Sequence, residues 1–172
     1  RTDLLAKAGL TIDDLLRSWE GYVDAGVQLK ARTGAFLLAH ARYLKNIVLF
    51  SALPPGRSVY FDTAGRADVA GPVFQRAFEL SLKVRRLKLD AVVETWRSDW
   101  AEHLRRGRLA TELTGAWMAA QLAQRIAPAT TGLWRSSTLP EGGFASYGGS
   151  YFAIPRRADP ARKALAWSFI QS

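Results

Sequence analysis

Residues 107 to 118, Gly-Arg-Leu-Ala-Thr-Glu-Leu-Thr-Gly-Ala-Trp-Met, constrain the fold of this chain more than any other run. A helix ending in Arg105-Arg106 stops at Gly107, where a left-handed cap residue is favoured. The mixed Leu, Ala and Thr residues from Leu109 to Leu113 then read as a short strand. Gly115 breaks it, and a new helix starts near Trp117. In open α/β sheets, ligands bind in the crevice beyond the carboxyl ends of the strands. Trp117 stands at such an end, so it either packs in the core, the commoner fate of a large aromatic, or faces a ligand.

Composition sets the outer limits. A chain of 172 residues that is 48% hydrophobic and 23% charged has a globular composition and enough length for one sizeable core. Its longest apolar candidate, Ile47-Val48-Leu49-Phe50, falls far short of the roughly 18 residues that cross a membrane. Arg1-Thr2-Asp3 leads straight into an amphipathic segment with no signal peptide, as expected of a mature or trimmed chain. Cysteine is absent, which removes disulfides, thiol nucleophiles and Cys-based metal sites. The net charge of +9 comes from Arg residues spread along helices. Lys83 to Lys88 and His103 to Arg108 form the local basic clusters, and solvated helix faces account for both.

The rest of the chain alternates helices with short strands. Asp3 to Ala8 forms a helix closed by Gly9, and Thr11 with Asp14 forms a capping box. Leu15, Leu16, Trp19 and Tyr22/Val23 recur at helical spacing as one amphipathic helix. Lys30 to Gly34 is expected to turn and Ala35 to Leu38 to form a short buried strand. Leu44 to Leu53 is a buried helix ended by Pro54-Pro55-Gly56. Val59 to Asp62 alternates like an edge strand and runs into a turn at Asp62 to Gly65. Pro72 starts a helix whose apolar face is Val73, Ala77, Leu80 and Val84. Trp96 to Arg106 is a further helix capped by Ser98. Tyr151 to Ile154 is expected as a buried strand. The last helix opens at Asp159-Pro160 and buries Leu165, Trp167/Ser168 and Phe169.

The parts of an enzyme are missing. His40 and His103 sit in no metal-ligand pattern. Gly142-Gly143 and Gly148-Gly149 complete neither a P-loop nor a dinucleotide fingerprint, and no nucleophile elbow occurs. Asp13 and Asp14 stand at a helix start, where capping explains them. Several aromatics (Tyr43, Trp117, Trp134, Tyr147) sit at loop–helix junctions instead of mid-helix. Sugar rings offer a face of C–H groups that packs on aromatic planes, so this pattern fits a carbohydrate site. It also fits a core.

Five segments together resemble a known family. Residues 107 to 117 resemble the G-(K/R)-x-A-x-x-x-x-G-x-W segment of bacterial extracellular solute-binding proteins of family 1, the sugar-binding receptors of ABC importers. Residues 1 to 10 resemble the segment that follows that family's first interlobe crossing. Thr11 to Leu15 is a shortened counterpart of the next motif, lacking its Pro and Trp. Leu133 to Pro140, Tyr147 to Pro155 and Ala164 to Ile170 resemble G-x-W-x-x-x-x-L-P, x-G-G-S-x-x-A-I-P and A-A-W-x-F-I in the expected order. The resemblance implies a helix-rich α/β lobe of the type II periplasmic-binding-protein kind with an incomplete second lobe. Residues 1–137 would form most of the C-terminal lobe, and residues 138–172 a crossing segment that returns to the other lobe.

The function implied is capture of a carbohydrate in an interlobe cleft, without enzymatic activity or cofactor. The implied partners are the permease subunits of an ABC importer, in the periplasm or anchored at the cell surface. The full-length protein would be monomeric and would bind no nucleic acid. Trp117 is the implied stacking platform, and Gly115 lets the chain approach the sugar. Gly149 and Ser150 would supply hydrogen bonds from across the cleft beside Tyr147. His40, Arg42 and Tyr43 stand where the family places a pocket-lining helix start. The competing reading is a basic nucleic-acid-binding or regulatory module using Arg85, Arg86, Arg105, Arg106 and Arg108.

Overall fold

A computed structural model describes residues 1–53, 56–146, 148 and 150–172. Pro54 and Pro55, expected to end a helix, lie outside the described residues, as do the site candidates Tyr147 and Gly149. Three short parallel segments run through the middle of the body. The central one is 35–39. Leu37 N–H donates to Leu89 O (2.8 Å) and Ala91 N–H to Leu38 O (3.1 Å), which pairs it with 89–93. On its other side Phe36 N–H donates to Arg108 O (2.8 Å) and Ala110 N–H to Phe36 O (3.0 Å). Among the described residues, pairing is confined to isolated bridges, Phe36–Leu109 and Leu38–Asp90 here and an antiparallel one at Phe61–Ala67, so the α/β expectation holds only in reduced form. The segment 109–113 is extended as expected but lies beside the middle segment. A five-residue run shows what each residue can bury, not how many neighbours its backbone will find.

These segments feed two cores, and alternation holds at Ala35–Phe36–Leu37 and Leu109–Ala110, whereas Leu38 joins Leu37 in the larger core. Ala35, Leu37, Leu89 and Ala110 join the larger core with helices α1 (Thr2–Ala8), α2 (Ile12–Leu16), α3 (Trp19–Thr33), α4 (Ala41–Ser51) and α5 (Pro72–Arg86). Phe36, Val93 and Leu109 face a second core built on α6 (Ser98–Arg105) and α7 (Met118–Gln121), which continues as a wider turn through Leu122–Ile126. Helix α3 approaches the central segment at Gly26, where a Cβ would lie 2.6 Å from the Leu37 side chain. Only glycine permits that contact.

The local signals for helix starts and stops hold at most positions. Thr11 N–H and its hydroxyl both bond Asp14, at 2.8 and 2.9 Å. Asp159 accepts from Ala161 N–H (2.9 Å) at the start of α8 (Pro160–Gln171). Helix α6 stops at Gly107, with φ 65°. Two expected helices are corrected. The helix read through Leu15 to Val23 is two, because the Ser18 hydroxyl accepts from Gly21 N–H (2.9 Å) and caps a new start at Trp19. That second helix runs on to Thr33, so the turn expected from Lys30 begins only at Gly34. The helix expected from Trp96 starts at Ser98, and its cap position is Arg97, with no side-chain cap bond.

Larger corrections fall near the end of the chain. The strand expected at Tyr151 to Ile154 is neither buried nor paired, and Tyr151 is 95% exposed. Leu165, Trp167 and Phe169 of α8 are exposed, and no residue of that helix is buried. Apolar spacing marks what a helix offers for burial, and here the exposed ring of Phe152, edge-on to Phe169 at 6.3 Å, leaves it largely open. By contrast, 139–145 stays on the body. Trp19 N–H donates to the Glu141 carboxylate (3.4 Å), Arg76 pairs with both Glu20 and Glu141, and Pro140 is buried.

Candidate functional site: an aromatic platform

The three parallel segments end on one side of the body at His40, Glu94 and Glu112. Beyond those ends lies a ladder of indoles. Trp117 stacks on Trp96 with centroids 5.7 Å apart and planes 19° from parallel. Trp96 leans on Trp100 at 5.4 Å and 50°. Trp117 is 48% exposed and Trp96 57%, whereas Trp100 is 1% exposed and belongs to the second core. The open alternative for Trp117, core or surface, thus resolves to a ring half in solvent. Gly115 makes the arrangement possible: a Cβ there would stand 2.5 Å from the Trp117 ring nitrogen. The glycine allows the indole to fold back over the turn.

Trp96 sits in a loop of unusual backbone. Lys88, Val92 and Trp96 all have positive φ, at 54°, 59° and 68°. Such conformations are uncommon for non-glycine residues, and for a β-branched one they are strained. The start of α4 holds this loop. The Tyr43 hydroxyl accepts from Thr95 N–H and from the Thr95 hydroxyl, both at 3.1 Å, and donates to the Glu94 carboxylate at 3.0 Å. Arg42 forms an ion pair with Glu94. Tyr43 and Arg42, two of the expected site residues, therefore stand beside the platform with their polar groups bonded to its loop.

His40 has a different place. Its Nδ1 accepts from Arg42 N–H (3.1 Å) as the cap of α4. Burial first, then the charges of Arg42 and Arg85, lower its basicity below that of an ordinary histidine. Beneath it, buried Asp90 accepts from Ala41 N–H and pairs with Arg85, each at 2.8 Å. Ser150 is exposed on the run toward α8.

On the other side of the 110–116 segment lies a cavity of about 560 Å³. Tyr22, Glu112, Thr114, Gly115, Met118 and Phe144 line it, and its size is within the range of small-molecule pockets. The Thr114 hydroxyl is buried and has no hydrogen-bond partner among the described residues. Glu112 belongs to both places. It lines the cavity, and its carboxylate accepts from Trp100 Nε1–H at 3.1 Å. Burial pushes its pKa up to about 7, against a smaller opposing pull from the Trp100 bond.

Sequence reasoning missed Trp96, Glu94 and Glu112. Trp96 and Trp100 are four apart, the spacing of one helix face, and this hid the loop residue inside an expected helix. The detectable signal was Ser98-Asp99, a helix-start pair one residue beyond Trp96-Arg97. Nothing local marks Glu112, whose burial depends on α6 and on the return of 133–145.

No family model and no curated protein matches this chain. Solved structures do match in fold. An extracellular solute-binding protein of family 1 superposes with a TM-score of 0.78 at 22% identity, over all of this chain and 45% of that one. The ABC transporter associated binding protein from B. animalis subsp. lactis, solved with β-1,6-galactobiose, gives 0.74 at 23% identity over 99% of this chain and 43% of its own. A Streptococcus pneumoniae solute-binding protein, solved with the blood group A-trisaccharide, gives 0.70 at 19% identity over 99% and 43%. The chain spans less than half the length of these structures, and over that span it has the fold of extracellular solute-binding proteins.

Proposed function

We propose that this chain is part of a solute-binding protein that captures a carbohydrate for an ABC importer, as a carrier and not an enzyme. The observation that carries the reading is the half-exposed Trp117–Trp96 stack at the carboxyl ends of the parallel segments. A sugar face lies flat on such a ring, leaving its hydroxyls to polar neighbours. Gly115 sets how close the sugar comes, Tyr43 and Arg42 flank the platform, and His40 stands behind Tyr43 with ring centroids 6.1 Å apart. Ser150, Gly149 and Tyr147 would approach from the opposite wall. Two similar structures are named as complexes with oligosaccharides, and their fold extends over the whole described body.

On this reading residues 1–137 form most of one lobe, and within 138–172 the crossing toward the other begins after 139–145, which stays on the body. The exposed apolar face of α8 is then a surface the second lobe covers. The protein works in the periplasm or at the cell surface, beside permease subunits.

The basic-module alternative loses support from the ion pairs. Arg85 is engaged with Asp90, and Arg105 and Arg106 with Glu102. The test is a screen of the full-length protein against neutral oligosaccharides and nucleic acids at low and high salt. The reading expects a neutral sugar whose affinity barely responds to salt. Nucleic-acid binding that weakens steeply with salt would contradict it.

A further inference from the structure

The platform has a foundation that touches none of its exposed faces. Trp117 rests on Trp96, Trp96 on Trp100, and Trp100 is tied through its one polar atom to Glu112. A buried tryptophan needs a partner for its indole N–H, and an indole has only that single donor. The partner chosen here is a carboxylate on the same short segment that turns at Gly115 and delivers Trp117. One side chain thereby fixes both ends of the ladder: the buried indole directly, and the exposed one through the four intervening residues 113–116.

We propose that Glu112 and Trp100 are positioning residues for the Trp96–Trp117 platform, and that the Glu112–Trp100 hydrogen bond sets the angle and spacing of the exposed stack. This deepens the carbohydrate reading without depending on which sugar binds. Loss of the bond leaves the buried indole N–H of Trp100 unpaired, and the ring shifts within its packing to relieve it. The ring of Trp96 lies against Trp100 and Trp117, and the Tyr43–Thr95 bonds hold the residue just before it, so a shift of Trp100 passes to Trp96. The stack opens as a consequence.

The Glu112 carboxyl titrates near neutrality. Ionised, it accepts a charge-assisted bond, which is stronger than the bond to a neutral acid. The other titratable groups on the cavity wall it faces are Tyr22, Arg135 and Arg1, whose α-ammonium pKa is lowered by burial to about 6. Burial pushes Tyr22 well above the ordinary phenol range, so it stays neutral throughout. The platform is accordingly tightest above pH 7 and loosens as Glu112 takes up a proton.

The test requires no sugar. Near-ultraviolet circular dichroism of the full chain reports the stacked indoles, and far-ultraviolet dichroism reports the helices. The wild type should show a tryptophan signal that weakens as pH falls through about 7. Glu112→Gln, whose amide oxygen still accepts the indole N–H, should keep the signal and lose the pH dependence. Glu112→Leu should lose most of the signal at every pH with the helix content intact. Trp100→Phe should behave like Glu112→Leu if it folds, and Glu112→Gln decides the question if it does not. A wild-type signal flat across neutrality, or Glu112→Leu with an unchanged signal, overturns the proposal. Because no ligand enters these measurements, failure to find a sugar would sink the proposed function and leave this inference standing, and the reverse also holds.

Discussion

The platform and helix α8 both expose tryptophan, and they differ in what lies beneath the ring. Under Trp117 and Trp96 lies Trp100, fully buried and hydrogen-bonded, with Met118, Leu122 and Leu109 around it. Trp167 stands on a helix with no buried residue, on the side away from Leu165 and Phe169, which are also exposed. The first arrangement is rigid and aimed, because a core sets each ring in place. The second carries exposed apolar side chains on more than one side, which hydrophobic burial would cover whenever a suitable surface is present. Exposure alone therefore does not mark a ligand site. Exposure on an ordered base makes the better candidate, since a ligand gains from a ring already held in place.

Truncating the base should have the largest effect. Trp100→Ala removes a fully buried indole and strands Glu112, and should cost roughly 3–5 kcal/mol of stability, the range for large-to-small core changes. Trp167→Ala should stay within about 0.5 kcal/mol, as for exposed positions generally. Chemical denaturation of both variants measures the contrast. Equal losses would erase the distinction between the two regions.

The next effect concerns pH. The folded pKa of Glu112, about 7, lies above its ordinary value of 4.5. A carboxyl raised on folding lends stability while it is protonated. That contribution is complete below about 4.5 and is lost as pH rises through 7. Its span is about 3 kcal/mol at the usual 1.36 kcal/mol per pKa unit. Glu112→Gln should remove this slope, so melting temperatures of wild type and variant should diverge as pH rises from 5 to 8. Parallel curves would mean that Glu112 is not desolvated as its position indicates. The platform and the fold thus respond to pH in opposite senses: ionisation tightens the indole bond and weakens the body that buries the charge.

Much of the fold was legible because its signals are local. The stop at Gly107, the turn at Gly115, the capping box of Thr11 and Asp14 and the cap at Asp159 each act within a few residues. The chain follows them. What was not legible depends on distant partners. The central place of 35–39 is decided by backbone bonds to 89–91 and 108–111. The break at Ser18 is a short-range event hidden by continuous apolar spacing from Leu15 to Val23. The exposure of Phe169 and Trp167 turns on whether anything covers them, which periodicity cannot encode. At the site, Trp117 and Gly115 were visible as a turn and a ring, while Trp96 was concealed by helical spacing and Glu112 by the absence of any local mark of burial.

The central claim is that Trp117 is a supported surface for sugar and not a core residue. It is tested most directly by Trp117→Ala in the full-length protein. Affinity should be measured by calorimetry for a neutral oligosaccharide retained in the salt-controlled screen, and melting temperature by scanning. By analogy with base–aromatic stacking, affinity should fall by about 1–3 kcal/mol, with a loss of stability below about 1 kcal/mol for a ring that is 48% exposed. A large drop in melting temperature with affinity per folded molecule unchanged would return Trp117 to the core and contradict the account.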